Sequence, residues 1–205
     1  TLFQYQPGFA EKLGSAIEFG RSFIVPQYQK KQSCLALIWR GIGEFIVRNP
    51  RYHILFGPVS ISQDYHAVSR ALMVQFLQQH KMHEDLSGLV SPRRPFVAPS
   101  LGSMDAQSIR NALRDIDDVS VLIAEIEDDG KGVPVLLRHY LKLNAKLISF
   151  NLDEHFSDVV DGLIVVDLLA TDPRLIKRFL GADGAETFLR RHREALRHDA
   201  APLGV

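Results

Sequence analysis

Cysteine occurs once, at Cys34. No intrachain disulfide can therefore form, and a cysteine-based structural zinc site lacks its ligands. No apolar run approaches the roughly 20 residues of a membrane span, and no signal peptide is visible. Neither sign of charge is in excess: 24 Lys+Arg balance 24 Asp+Glu. There is thus no global basic field for nucleic acid and no polybasic tail for a membrane surface. Internal repeats and low-complexity tracts are absent as well. An initiator Met is missing. The chain starts at Thr1 inside the apolar stretch "TLFQYQPGF", which reads as a segment of a longer protein. The rival reading is a threonine nucleophile exposed by self-cleavage, and the α/β pattern that follows is not that of such hydrolases.

What is present is an ordinary globular composition: 205 residues, 46% hydrophobic and 23% charged, enough for one core. These features fit a reducing, cytoplasmic setting. Ile17 to Val25 is β-rich and reads as a strand ended by Pro26. From Ser33 to Val47, Leu35, Leu37, Ile38, Ile42, Phe45 and Ile46 recur at helical spacing, with Ser33 as N-cap and Asn49-Pro50 as the stop. Tyr52 to Ser62 reads as a strand broken at Gly57-Pro58. Asp64 then caps a helix through about Gln79. Glu84 to Ser103, with three prolines, reads as a long connection. A helical region runs from about Asp105 to Asp128, broken near Asp117-Asp118. Pro134 opens another helix through Leu143. "AKLISFNLD" and "DGLIVVDLL" are two strands. Asp172-Pro173 starts a final helical pair broken at Gly181, with a solvated charged tail after Arg190. The pattern is one mixed α/β domain, 1–198, followed by a tail, 199–205.

The polar turn "PQYQKKQ" between the first strand and its helix offers backbone N–H groups at a helix N-terminus, a natural anion site, and Lys30 and Lys31 add positive charge. Most such turns bind nothing. Glu18 and Arg21 form either a structural ion pair or a base at a sheet surface with its orienting cation. Tyr65 is either packing or an acid for a leaving thiolate. Cys34 is either a small apolar residue or a thiolate favoured by the helix N-terminus. His80 and His83 have helical i, i+3 spacing but no third metal ligand by spacing. Asp117, Asp118, Asp128, Asp129 and the neighbouring glutamates read as solvated caps.

Three segments carry a family resemblance: "IEFGRSFIVPQYQ", "LIWRGIGEFIVRNPRYHILFGPVSISQDYHAVS" and "GVPVLLRHYLKLNAKLISFNLDEHFSDVVDGLIVVDLL". They resemble the hemolysin-like branch of the GNAT superfamily, which is similar to ornithine N-acyltransferases of lipid synthesis. Some of its members are joined to a lysophospholipid acyltransferase domain. The likeness runs from Thr1 to about His192. It implies a GNAT-like mixed sheet flanked by helices, whose splayed parallel strands hold an acyl thioester; the family's first three strands would precede Thr1. Ile17–Val25 and Tyr52–Ser62 would be the splayed pair, and Ser33–Val47 the cofactor helix. The family's phosphate loop, Gln/Arg-x-x-Gly-x-Gly/Ala, is matched at Gln29, whereas Gln32 and Cys34 stand where glycines are expected. Glu18 lies eleven residues before Gln29, the spacing of the general base in several acetyltransferases. Glu18 to Arg21 is also similar to the Glu-x-x-Arg of acyl-homoserine-lactone synthases.

The resemblance thus implies Glu18, Arg21 and Tyr65 as catalytic residues and Gln29, Lys30, Lys31, Gln32 and Ser33 as the donor-binding set. No metal is implied. Glycine lets backbone approach a pyrophosphate closely. Coenzyme A carries a pyrophosphate, while the phosphopantetheine arm of an acyl carrier protein carries one phosphodiester. The glycine-free loop therefore favours a carrier-protein donor over acyl-CoA, with Lys30 and Lys31 meeting the carrier's acidic surface. Implied partners are acyl carrier protein, an amine-bearing lipid precursor, a lysophospholipid acyltransferase domain, and a second copy covering the open sheet edge. The implied place is the cytoplasm, peripheral to the inner membrane. The expected activity is N-acyl transfer to an amine. The alternative is a degenerate, non-catalytic module that binds a carrier protein or a partner enzyme domain. A pore-forming toxin has no suitable apolar or amphipathic segment here.

Overall fold

A computed structural model describes residues 1–20, 24–28, 32–99 and 113–199. The chain forms two compact units, Thr1–Gly14 with Phe56–Val166, and Ser15–Leu55 with Asp167–Val205.

The first unit is built on strands β3 (Ile54–Ile61, most of it in this unit), β5 (Lys146–Asp153) and β6 (Val159–Asp167), in the sheet order β3-β6-β5. The sequence "VVDGLIVVD" is apolar on both faces, as a strand covered on both sides must be, and β6 is buried from Val159 to Val166. Strand β5 pairs with it antiparallel, with Phe150 opposite Gly162 and Asn151 opposite Asp161. A parallel bridge from Met82 to Leu147 makes the pairing mixed. At Gly162 a Cβ would lie 3.1 Å from Leu147 Cδ1 and 3.3 Å from Phe150 Cε1, so glycine makes room for the aromatic ring.

Helices α3 (Ala67–His80), α4 (Ile116–Ile126) and α5 (Val135–Lys142) cover one face of this sheet. Val59, Ile61, Met73, Leu77, Val119, Ile123, Leu137, Phe150, Val160 and Ile164 form its core. Each such side chain contributes about 1.5–3 kcal/mol on leaving water. Helix α4 begins in a capping box, with Asp115 accepting from the Asp117 and Asp118 amides. Asp117 and Asp118 lie in its first turn, so the expected break falls at the helix start, and residues 105–112 of the expected helix fall outside the described residues. The expected long connection is partly regular. Val90–Pro92 forms β4, antiparallel to β1 (Phe3–Tyr5), ahead of α1 (Phe9–Leu13). Strand β3 runs unbroken through Gly57-Pro58, because Gly57 takes φ 157°, at the edge of what only glycine tolerates.

The second unit holds β2 (Ala16–Glu18) and helices α2 (Gln32–Arg48), α6 (Pro173–Leu180) and α7 (Ala182–Asp199). Its three helices pack together through Ile46, Ile176, Ala185 and Phe188, all buried. Trp39 meets Phe179 edge to face at 5.4 Å. Asp172 caps α6 by accepting from the Arg174 amide, with Pro173 in the first turn and Gly181 at φ 78° dividing α6 from α7.

Four expectations are corrected here. The first strand is three residues long, and Ile24 and Val25 are not extended pairs within it. Leu37 and Phe45, expected in the core of α2, are exposed; Phe45 instead stacks on Tyr52 at 6.2 Å. The helix already includes Gln32, so Ser33 lies inside it and does not cap it. The segment after Arg190 continues α7 to Asp199 rather than forming a tail.

Candidate active site

Glu18 closes β2 with its side chain exposed. A Cβ at Gly20 would lie 4.0 Å from Glu18 Oε1, an ordinary contact. Arg21, Gln29, Lys30 and Lys31 lie outside the described residues. The main chain of Gln32 and Ser33 forms the first turn of α2, and Cys34 is partly buried. This turn and Glu18 belong to the same, second unit.

Tyr65 belongs to the first unit. Its hydroxyl donates to the Gly132 carbonyl at 2.8 Å, and the Lys131 ammonium stands 4.9 Å over its ring. Burial raises the phenol's pKa, and the acids Glu127 and Asp129 add to this against Lys131. Tyr65 thus holds its proton firmly on a main-chain acceptor. Asp64 does not cap α3: it accepts from the Ser62 hydroxyl at 2.9 Å, and the helix starts after His66.

The carboxylate at the start of α3 is Glu127, which had read as one of several solvated acids. Its side chain is 2% exposed. It accepts the His66 amide at 2.8 Å and faces Lys131 Nζ at 3.4 Å. Burial would raise its pKa, but the Ser69 hydroxyl, the His66 amide and Lys131 outweigh burial and hold it below the usual range. A signal existed: Val119, Ile123 and Glu127 recur every four residues, so Glu127 continues the buried stripe of α4.

A second unforeseen acid is Asp161, 3% exposed on β6. It accepts from the Ser60 hydroxyl on β3 at 2.5 Å. Core residues Val160 and Ile164 alternate with it, so Asp161 occupies the sheet face opposite the helices. Buried Ser149 and Asn151 share that face. Burial raises the Asp161 pKa and the Asp153 charge raises it further, against the Ser60 hydrogen bond. A charged residue inside "VVDGLIVV" was the available signal.

His80 packs on Phe76 at 4.8 Å, and His83 Nδ1 accepts the Leu86 amide at 3.3 Å. Among the described residues no three His, Cys, Asp or Glu side chains are grouped to hold a metal ion. Among the same residues, no helix is long and apolar enough to cross a membrane.

The chain is similar over its whole length to two proteins named glycine N(alpha)-acyltransferase. The one from Bacteroides thetaiotaomicron is 29% identical over 217 residues, covering 100% of this chain and 61% of that protein. The one from Phocaeicola vulgatus is 25% identical over 214 residues, covering 96% and 60% respectively. The chain therefore spans about three-fifths of the length of these curated relatives. No family model matches the sequence, and no solved structure matches it.

Proposed function

We propose that this chain is part of an N-acyltransferase that moves a fatty acyl group from a thioester to an amine. The observation that carries the reading is the similarity to two glycine N(alpha)-acyltransferases along essentially the entire chain. The mixed α/β fold, with helices against a mixed sheet, is consistent with it.

In the proposed reaction the amine nitrogen attacks the thioester carbonyl carbon. A C–N bond forms, the oxyanion collapses, and the C–S bond breaks to release a thiolate. Glu18 takes the proton that the ammonium must lose, directly or through water. Main-chain N–H groups near Glu18 polarise the carbonyl, and Arg21 orients either Glu18 or the donor's phosphate. Gln29, Lys30, Lys31, Gln32 and Ser33 form the donor loop, with an acyl carrier protein favoured over CoA. The natural acceptor is an amine of lipid metabolism, and a lysophospholipid acyltransferase domain is a fitting neighbour. A thiol has an ordinary pKa near 8.5 and leaves without strong acid assistance. Tyr65 would serve as acid only after giving up its bond to Gly132.

A non-catalytic carrier-binding module is the second reading, favoured by Gln32 and Cys34 where the family loop has glycines. Mass spectrometry of products from a mixed pool of acyl thioesters and amines decides between them. New N-acyl amines are expected. Glu18→Gln should slow their formation by about 10²–10⁴-fold, the usual worth of a general base. Wild-type rates for that variant at both low and high pH would remove Glu18 from the role.

A further inference from the structure

Among the described residues two acids are deeply buried, Glu127 and Asp161, and their surroundings differ. Glu127 is met by the Lys131 ammonium and the His66 amide, as a structural carboxylate should be. Asp161 has no such company. Among the described residues its one side-chain partner is the Ser60 hydroxyl, and the nearest charge acting on it is another acid, Asp153. Asn151, directly across the ladder, is bonded elsewhere. Its amide nitrogen donates to the Leu152 carbonyl at 3.0 Å and its oxygen accepts the Arg94 amide at 2.8 Å. A carboxylate has about four acceptor positions, and Asp161 fills one of them through its side-chain contacts.

The Ser60–Asp161 separation of 2.5 Å falls in the range of a hydroxyl donating to an ionised carboxylate. Ser60 itself is exposed, so the pair is open to solvent on the β3 side. A buried anion with spare acceptor capacity and no cation is poised to receive one. An ammonium group supplies three donors and a positive charge.

We propose that Ser60 and Asp161 form a binding site for a small primary ammonium ion, the α-ammonium of an amino acid acceptor. This rests on the acyltransferase reading for the identity of the ligand, though not for the existence of the site. Binding here moves no proton and forms no covalent bond.

The test is titration of the ¹⁵N-labelled 205-residue chain with glycine and with methylammonium chloride, and with sodium acetate as an anionic control. Saturable shifts at the amides of Ser60, Asn151, Asp161 and Gly162 are expected with both amines and not with acetate. Asp161→Asn should weaken this binding at least about tenfold, the worth of a hydrogen bond to a charged group. Ser60→Ala, which keeps the acid, should weaken it less. In turnover, Asp161→Asn should raise KM for the amine while leaving KM for the thioester unchanged. The wild-type titration decides even if the Asp161 variant fails to fold. Absence of saturable shifts, or equal affinity in the Asp161 variant, overturns the site. Binding without acyl transfer would leave the site standing and sink the acyltransferase reading. Transfer to amines without binding at these amides would do the reverse.

Discussion

The carboxylate of Glu127 accepts the main-chain N–H of His66, 61 positions earlier, at 2.8 Å. It thereby serves α3 as a cap drawn from another element. Glu127→Ala leaves that amide without its partner and should destabilise the chain by about 1–3 kcal/mol, read from urea unfolding. The pH dependence has a definite sign. Glu127 is held below its ordinary range in the folded chain. Its contribution is therefore complete above the unfolded carboxylate pKa, near 4.3, and disappears as pH falls through the folded value. Glu127→Ala should flatten the acid limb of the stability curve.

Gly132 is a second point of tight closure. A Cβ there would collide with the Ser120 hydroxyl and lie 3.0 Å from the Ser120 carbonyl. The same hydroxyl accepts the Val133 amide at 3.1 Å. Gly132→Ala should cost about 1–3 kcal/mol through overpacking and loosen the Tyr65 hydrogen bond to the Gly132 carbonyl. Adding Ser120→Ala removes the colliding atom, so the double variant should be less destabilised than the sum of the singles. Strict additivity in thermal unfolding would refute the collision.

In the second unit His53 Nδ1 lies 3.2 Å from Asp167 Oδ1, and the His192 ring stands 5.1 Å from that of His53. Burial, then the charge on His53, holds His192 below its ordinary pKa near 6.5, against Asp167 and the Pro50 main chain. The unfolded chain therefore takes up a proton on this residue more readily than the folded one. Stability should fall as pH drops from about 7.5 to 5.5, and His192→Gln should reduce that slope. Asp167 is only partly buried, and the His53 contact and the Leu169 amide outweigh that burial and keep it below the usual range. Its own loss comes later, below about pH 4. Urea unfolding of both chains across this pH series checks the order.

The donor preference can be read without turnover. An acyl carrier protein present at 100 times its dissociation constant should raise stability by about 2.7 kcal/mol, whereas CoA at the same concentration should do less. Lys30→Glu with Lys31→Glu should weaken the carrier effect and its salt dependence while leaving any CoA effect nearly unchanged. A larger thermal shift with CoA would reverse the preference.

Much of the fold was legible because local chemistry agreed with the final packing. Asp172-Pro173 and Gly181 mark the bounds of α6, and the β-branched runs of β5 and β6 left little choice of conformation. Apart from element ends, the failures were of burial. Leu37 and Phe45 have the helical spacing of a core face, but Gly43 and Ile46 occupy that face. A Cβ at Gly43 would lie 3.0 Å from the Phe179 carbonyl, so the close helix approach excludes larger neighbours. Of the candidate site, the eleven-residue interval from Glu18 to Gln29 was readable, whereas the helix already includes Gln32, ahead of the expected cap at Ser33. The Ser60–Asp161 pair was not, because its members are 101 residues apart and only sheet order joins them.

Strands β1 and β4 pair Phe3 with Pro92, about ninety residues apart along the chain. Each unit, moreover, is assembled from two separated stretches of chain. Neither can be completed by a contiguous run emerging from a ribosome. Residues 1–14 reach their partner strand only after Val90 has been synthesised. Such long-range closure slows folding and keeps apolar surface in water meanwhile. For this chain the hazard in synthesis is that delayed closure, and a chaperone acting while residues 1–90 are being made should improve the yield more than one acting after release.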